Sequence, residues 1–311
     1  MKPFKELLKI ASKSSITVLL QGESGTGKEV AARYLHRESD RGRGPFVALN
    51  CGAIAKNLAE STLEGAKKGA FTGATADQPG VVRSAHGGTL FLDEIGEMSF
   101  DMQSKLLRIL QERSVMPLGS TTAIPVDFRL VCATNRNLKA EVAAGRYRED
   151  LFFRLNTFPI QLPPLRDRED FDIIANEIWD VESHAKNLLP PYDDYHLTDT
   201  ELLHLRLCRW PGNIRQLKNV LQRYALLRPH GITLEEVLQD EFSGGACRES
   251  ALTQKIPTNK SPTWPVIENI LHKFGGNKMQ AARALGISRS NLYIQIKKAA
   301  LGGRIVREAR T

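Results

Sequence analysis

Ile16-Thr17-Val18-Leu19-Leu20-Gln21-Gly22-Glu23-Ser24-Gly25-Thr26-Gly27-Lys28-Glu29 decides the fold. A β-prone run ends at Gln21, a glycine-rich turn closes on Lys28, and a helical pattern follows through Tyr34 and Leu35. Strand, loop and helix in that order are the context a phosphate-binding loop requires. The glycines let backbone N–H groups face the phosphates, and the helix N-terminus adds positive potential. Lys28 reaches the β- and γ-phosphates, so residues 22–29 are the expected nucleotide cradle. Glu29 stands where the generic motif has a Ser/Thr magnesium ligand.

Working outward, Phe46–Asn50, Thr89–Asp93, Phe128–Ala133 and Phe158–Leu162 are further short, nearly continuous apolar runs with helical patterns between them. Such runs read as strands covered on both faces, which predicts a parallel sheet with crossover helices, an α/β P-loop core. Thr89-Leu90-Phe91-Leu92-Asp93-Glu94 ends in the two carboxylates that phosphoryl transfer needs. Asp93 can hold Mg²⁺, directly or through water, and Glu94 can orient and deprotonate the attacking water. With Glu29 in the loop, the inner magnesium shell is open between Asp93, waters and Glu29 itself.

From about Asp170 to Gln239 the β signal vanishes. Leu202, Leu203, Leu205 and Leu207, then Leu217, Val220, Leu221 and Tyr224, read as faces of a small all-helical lid. Residues 241–263, rich in Gly, Ser, Thr, Pro and Lys, read as a linker. Three domains follow: 1–169, 170–240 and, beyond the linker, 264–311.

The 311 residues are 41% hydrophobic and 25% charged, with net charge +8, too apolar for disorder. No apolar run approaches the ~18 residues of a membrane span, and Met1–Ile10 lacks a signal-peptide core. Cys51, Cys132, Cys208 and Cys247 show no CxxC and the seven histidines no HExxH, so neither a disulfide framework nor a Cys/His metal cluster is expected, and the thiols fit the cytoplasm. The charge is uneven: residues 246–311 carry twelve Lys/Arg against three Glu, a net of +9, leaving −1 on residues 1–245. That is the electrostatic footprint of a nucleic-acid module. Ala281, Ala282 and Leu285, the turn at Gly286 and a capping Ser288 have helix–turn–helix grammar. On and beside the second helix, Lys278, Ser288, Arg289, Ser290, Asn291, Tyr293, Gln295, Lys297 and Lys298 are the candidate DNA contacts.

Together these residues resemble the AAA+ activators of sigma-54 RNA polymerase, over about residues 7–300. Gly22–Glu29, with its terminal Glu, looks like the family's own P-loop. The most specific match is Gly69-Ala70-Phe71-Thr72-Gly73-Ala74, a loop with one aromatic tip, and the resemblance implies that it contacts sigma-54. Just upstream, Glu64, Ala66 and Lys67 depart from the family's usual aromatic, His and Glu. The resemblance further implies that Asn50 restrains Glu94, that Thr134 and Asn135 sense the γ-phosphate, and that Arg215 reaches the nucleotide from the lid. It implies that Arg148 and Arg154 are arginine fingers inserted into a neighbouring subunit's site, so the working form is a ring, a hexamer in the family. The basic segment resembles the family's Fis-like module. ATP and Mg²⁺ are the implied cofactors; sigma-54 polymerase and upstream enhancer DNA are the implied partners. Because the chain starts almost at the P-loop, no built-in regulatory domain is expected, and control falls to a separate protein, to concentration, or to parts of a longer product. Two other readings compete: an AAA+ replication initiator or helicase loader, which has no reason to carry Gly69–Ala74, and a DNA-binding regulator with a vestigial ATPase, which would need damaged catalytic positions.

Overall fold

A computed structural model describes residues 4–55, 58–71, 75–184 and 196–242. The chain divides between Cys247 and Arg248 into two units, and all described residues belong to the first. The basic segment, with every candidate DNA contact from Lys278 to Lys298, lies outside the described residues, as do Thr72, Gly73 and Ala74.

The strands are β1 (Val18–Gln21), β2 (Phe46–Asn50), β3 (Thr89–Asp93), β4 (Ser114–Val115), β5 (Ile124–Pro125), β6 (Arg129–Thr134) and β7 (Phe158–Gln161). Around them run α1 (Phe4–Ser12), α2 (Lys28–Arg37), α3 (Ala59–Glu64), α4 (Gly80–Ser84), α5 (Phe100–Glu112), α6 (Leu138–Ala143) and α7 (Glu149–Leu155). Five strands form one parallel sheet in the order β2-β3-β6-β1-β7. Strands β1, β3 and β6 are interior and buried on both faces, which is why they read as nearly continuous apolar runs. Their side chains alternate between two layers. Leu19, Leu90, Leu92, Leu130 and Cys132 meet α3, α4, α5 and α7. Val18, Leu20, Phe91, Val131 and Ala133 meet α1 and α2. Pro159, which lacks an N–H, sits on the edge strand β7, where that loss is tolerated.

Arg129 opens β6 and is buried. Its guanidinium donates to Ala11 O (2.7 Å) and Leu35 O (3.0 Å), so one cation satisfies carbonyls in the last turns of both α1 and α2. Two elements escape the sequence reading: helix α1 and the short antiparallel β4–β5 hairpin.

The lid comprises α8 (Phe171–His184), α9 (Asp199–Leu207), α10 (Asn213–Leu227) and α11 (Leu234–Glu241). The α10 face predicted from Leu217, Val220, Leu221 and Tyr224 is buried in full. On α9 the expectation fails in part: Leu205 is buried, but Leu203 and Leu207 are exposed. Residues two apart on a helix diverge by about 200°, so Leu205 cannot share a face with Leu203 and Leu207.

Candidate active site

Strand order reverses beside β1, which lies between β6 and β7, so a crevice opens at its C-terminal end. The P-loop fills it. Gly22 N donates to Thr134 O (3.2 Å), joining the loop to the end of β6. Gly25 (φ +77°) and Gly27 (φ +92°) are left-handed, a conformation glycine adopts without the usual Cβ penalty. Gly25 also has no room for a side chain, since a Cβ there would sit 2.2 Å from Gly212 O of the lid. Lys28 heads α2, and its ammonium donates to Gly22 O and Glu23 O at 2.9 Å each. Burial lowers the Lys28 pKa, and the Asp93 and Glu94 carboxylates oppose that shift. The lysine and the two acids therefore share one electrostatic neighbourhood. Thr26 is buried, with its hydroxyl on Glu23 O (2.9 Å).

Glu29 does not join this group. It lies on the exposed side of α2 in an i,i+4 pair with Arg33 (2.7 Å), so that arrangement does not offer it as an inner-shell magnesium ligand. Asp93 ends β3 in register with Asn50 at the end of β2. Its Oδ1 accepts from Glu94 N (3.0 Å), and Glu94 takes φ 51°, unusual for a residue with a side chain, which turns the chain sharply. A Cβ on Gly52 would lie 3.1 Å from Glu94 Oε2 and 3.4 Å from Asn50 Oδ1. Both side chains thus converge on a bare Cα, while Asn50 Oδ1 accepts from Gly52 N (2.9 Å). Cys51, beside them, has its pKa pushed up to about 12 by burial and by those two acids, and remains a thiol.

Thr134 is buried at the end of β6, its hydroxyl accepting from Arg136 N (3.0 Å). Asn135 is exposed and lines a polar cleft of about 480 Å³ with Gly22 and Glu23. From the lid, Arg215 Nη1 donates to Ser24 Oγ (3.1 Å). A second lid contact escapes the sequence reading. Glu23 accepts from both Arg166 nitrogens (2.6 and 3.0 Å) and from Asn213 Nδ2 (3.0 Å). These bonds hold the Glu23 pKa down at about 2, with Arg166 first, then Asn213.

Also unforeseen is a cavity of about 460 Å³ beside the P-loop. Its lining is mostly apolar, from Phe4 and Leu8 of α1, Val30, Ala31 and Tyr34 of α2, Leu162 just after β7, Ile174 and Ile178 of α8 and Ile214 of α10, with Thr26, Gly27 and the charged Lys5, Arg168 and Glu177. An apolar slot next to a phosphate cradle fits a flat base. Its signal lay in the helical spacing of Phe4 and Leu8, which only tertiary packing connects to the loop.

Arg148 and Arg154 bond away from their own chain's P-loop. Arg148 pairs with Asp150 (2.7 and 3.0 Å), touches Ser104 Oγ (3.3 Å) and lies over the Phe100 ring. Arg154 Nη2 donates to Leu110 O (2.9 Å).

The stem of the Gly69–Ala74 loop is held by backbone bridges, and the side chains of Glu64 and Lys67 each find a partner there. Ala66 bridges to both Gln78 and Leu118. Lys67 pairs with Asp77 (2.7 Å), and Glu64, buried, accepts from Met116 N (2.9 Å). Beyond the stem, Gly69 has φ +81°, Ala70 N donates to Lys67 O (3.0 Å), and Phe71 is 41% exposed.

The sequence pattern of the sigma-54 interaction domain matches residues 1–161, just over half the chain. The chain belongs to the sigma-54 interaction domain family. Within this sigma-54 family chain, residues 166–255 match the AAA+ ATPase lid domain, and residues 265–298 match the Fis family of bacterial regulatory proteins. It is 42% identical over 298 residues to the acetoin dehydrogenase operon transcriptional activator AcoR of Bacillus subtilis, covering 94% of this chain and 48% of AcoR. It is 40% identical over 317 residues to regulatory protein AtoC of Escherichia coli, covering 94% of this chain and 64% of AtoC. Among solved structures, NtrX from Brucella abortus in complex with ATP aligns with a TM-score of 0.67 at 28% identity, over 95% of this chain and 66% of that one. The chain spans about half the length of the curated relatives it matches first. Among the described residues no helix is long and apolar enough to cross a membrane.

Proposed function

We propose that the protein is an ATP-dependent transcription activator that binds upstream enhancer DNA, closes into a ring and remodels the sigma-54 RNA polymerase closed complex into the open one. One combination supports this reading: a phosphate-loop sequence follows β1, paired carboxylates follow β3 and a threonine ends β6, three neighbouring strands, in a chain that also carries the sequence Gly69–Ala74. ATP binding by the NtrX relative supports the choice of nucleotide. The base enters the apolar slot against α1 and α2. Backbone N–H groups of residues 22–28 take the phosphates, and Lys28 leaves Gly22 O and Glu23 O for the β- and γ-phosphate oxygens. Asp93, at the end of β3 beside Lys28, would hold Mg²⁺ directly or through water together with phosphate oxygens, and the ion when bound would neutralise phosphate charge. Glu94 accepts a proton from the attacking water, Asn50 limits the positions that carboxylate can take, and Thr134 and Asn135 contact the γ-phosphate. Arg215 closes the lid side.

Arg148 and Arg154 complete the site of an adjacent subunit, where a guanidinium offsets charge developing on the transferred phosphoryl group. A head-to-tail interface of this kind closes a ring, here a hexamer as in the family. Hydrolysis then moves the Phe71–Thr72 tip against sigma-54. Lys278, Ser288, Arg289, Ser290, Asn291, Tyr293, Gln295, Lys297 and Lys298 carry enhancer binding in the cytoplasm, and a regulatory protein acting in trans is a further partner. Thr72→Ala tests the coupling: ATP hydrolysis stays near the parent rate while open-complex formation is lost, and transcription retained by that variant refutes the loop's role.

A further inference from the structure

The catalytic turn and the Arg148 segment of the same chain are joined twice. The first link is buried. Gln103 of α5 is fully buried and its amide is bonded at both ends. Nε2 donates to Met98 O (2.9 Å) and Arg146 O (3.2 Å), and Oε1 accepts from Arg148 N (2.8 Å). Met98 closes the turn that begins at Glu94: Glu97 N donates to Glu94 O (2.8 Å) and Met98 N to Ile95 O (3.3 Å). One side chain therefore spans from the turn presenting Glu94 to the backbone presenting Arg148.

The second link is ionic and lies at the surface. Glu97 pairs with Arg136 (2.6 Å), Arg136 faces Glu141 (3.6 Å), and Glu141 takes two bonds from Arg146 (2.8 and 2.9 Å). Arg136 N also donates to the Thr134 hydroxyl (3.0 Å), so this chain of charges starts at the strand-end threonine. Beside it, Gly96 packs closely on that threonine, since a Cβ there would lie 3.0 Å from Thr134 Oγ1.

We propose that Gln103, seconded by the Glu97–Arg136–Glu141–Arg146 chain, is a positioning residue that makes the reach of Arg148 toward the adjacent subunit depend on the nucleotide held in its own subunit. This rests on the reading of Arg148 as a finger acting in trans. The physical reason is the stiffness of a saturated buried amide. When nucleotide moves Glu94 or Thr134, the turn at Met98 cannot shift without either carrying Arg146 and Arg148 with it or leaving buried polar groups unpaired. A neighbour would then hydrolyse at a rate set by the state of the subunit beside it, which orders hydrolysis around the ring.

Mixed assemblies of the 311-residue chain test this. Acceptor subunits carry Arg148→Ala, with an intact nucleotide site but without the Arg148 finger. Donor subunits keep Arg148 and carry either Glu94→Gln, which holds ATP, or Lys28→Ala, which holds none. ATP hydrolysis per acceptor is measured at concentrations where light scattering shows both mixtures assembled. The two donors are expected to rescue the acceptor to extents differing by about fivefold or more, the usual scale of site-to-site coupling. Adding Gln103→Met to both donors should bring them to within about twofold of each other while rescue persists. Adding Arg136→Gln, which leaves the buried Gln103 amide and its three bonds in place, should narrow the gap without closing it, and this arm stands if Gln103→Met fails to fold. A purely structural Gln103 would lower both donors alike and keep their ratio. Equal rescue with Gln103 intact, or a ratio unmoved by either substitution, overturns the relay. Absence of rescue by any donor, with hydrolysis by the unmodified chain intact, removes the trans-finger reading and the relay with it.

Discussion

Asn213→Ala is the most informative single substitution at the junction of core and lid. Asn213 is fully buried at φ 52°, and its side chain makes three bonds. Oδ1 accepts from Leu165 N (2.8 Å), and Nδ2 donates to Glu23 Oε2 (3.0 Å) and Ser24 O (2.9 Å). Truncation strands the buried Leu165 N–H, at about 1–3 kcal/mol. The bond to Glu23 adds under about 1 kcal/mol, because that carboxylate is nearly half exposed and screened. Holding alanine at a left-handed φ costs about 1–2 kcal/mol more. The total is about 2–6 kcal/mol, roughly 4–24 °C in melting temperature for a unit of this size. Asn213→Gly removes the backbone part alone and should recover about 1 kcal/mol of it. Calorimetry of the parent and both variants reads stability, and titration with a fluorescent ATP analogue reads the P-loop that Asn213 holds. Melting temperatures within a degree of the parent, with unchanged nucleotide affinity, would refute the claim that this residue fastens the lid to the P-loop.

Lys28→Ala should abolish ATP binding in the same titration and leave binding to promoter-upstream DNA intact in a mobility-shift assay. Gly25→Ala forces a Cβ against Gly212 O and adds strain at φ +77°; calorimetry should show a lower melting temperature, and ATP affinity should fall at least about tenfold, matching a loss of about 1.4 kcal/mol. Glu23 titrates near 2 in the native state against 4.5 ordinarily. Its contribution is therefore complete above about pH 4.5 and is lost as pH falls toward 2. A stability–pH series should show that acid slope in the parent and a shallower one in Glu23→Gln.

Much of the fold was legible because interior strands leave an unmistakable trace. β1, β3 and β6 are covered on both sides, so their apolar runs are continuous and were placed to within two residues. The P-loop and Asp93-Glu94 were legible for a related reason: phosphate chemistry fixes both residue type and position relative to a strand end. What stayed hidden depends on packing between distant segments. The apolar slot takes residues from α1, α2, α8 and α10, none of which announces the others. Glu23 looks like a loop residue free to vary until Arg166 and Asn213 are folded onto it. Gln103 sits on a helix among Met102, Leu106 and Leu107, where periodicity marks the apolar residues and says nothing of a buried amide. Glu29 shows the opposite failure, since its place in the motif suggested magnesium and its place on α2 gives it to Arg33. Glu64 and Lys67 departed from the family pattern, and the fold gives each a partner of its own in Met116 N and Asp77.

The central claim is that this ATPase core performs work on sigma-54 polymerase. Permanganate footprinting of a sigma-54-dependent promoter, with purified polymerase holoenzyme and the 311-residue chain, reads promoter melting directly. With ATP the start-site thymines should become reactive, and with a non-hydrolysable analogue they should stay protected. Melting that proceeds equally with both nucleotides, or with neither, would contradict the account.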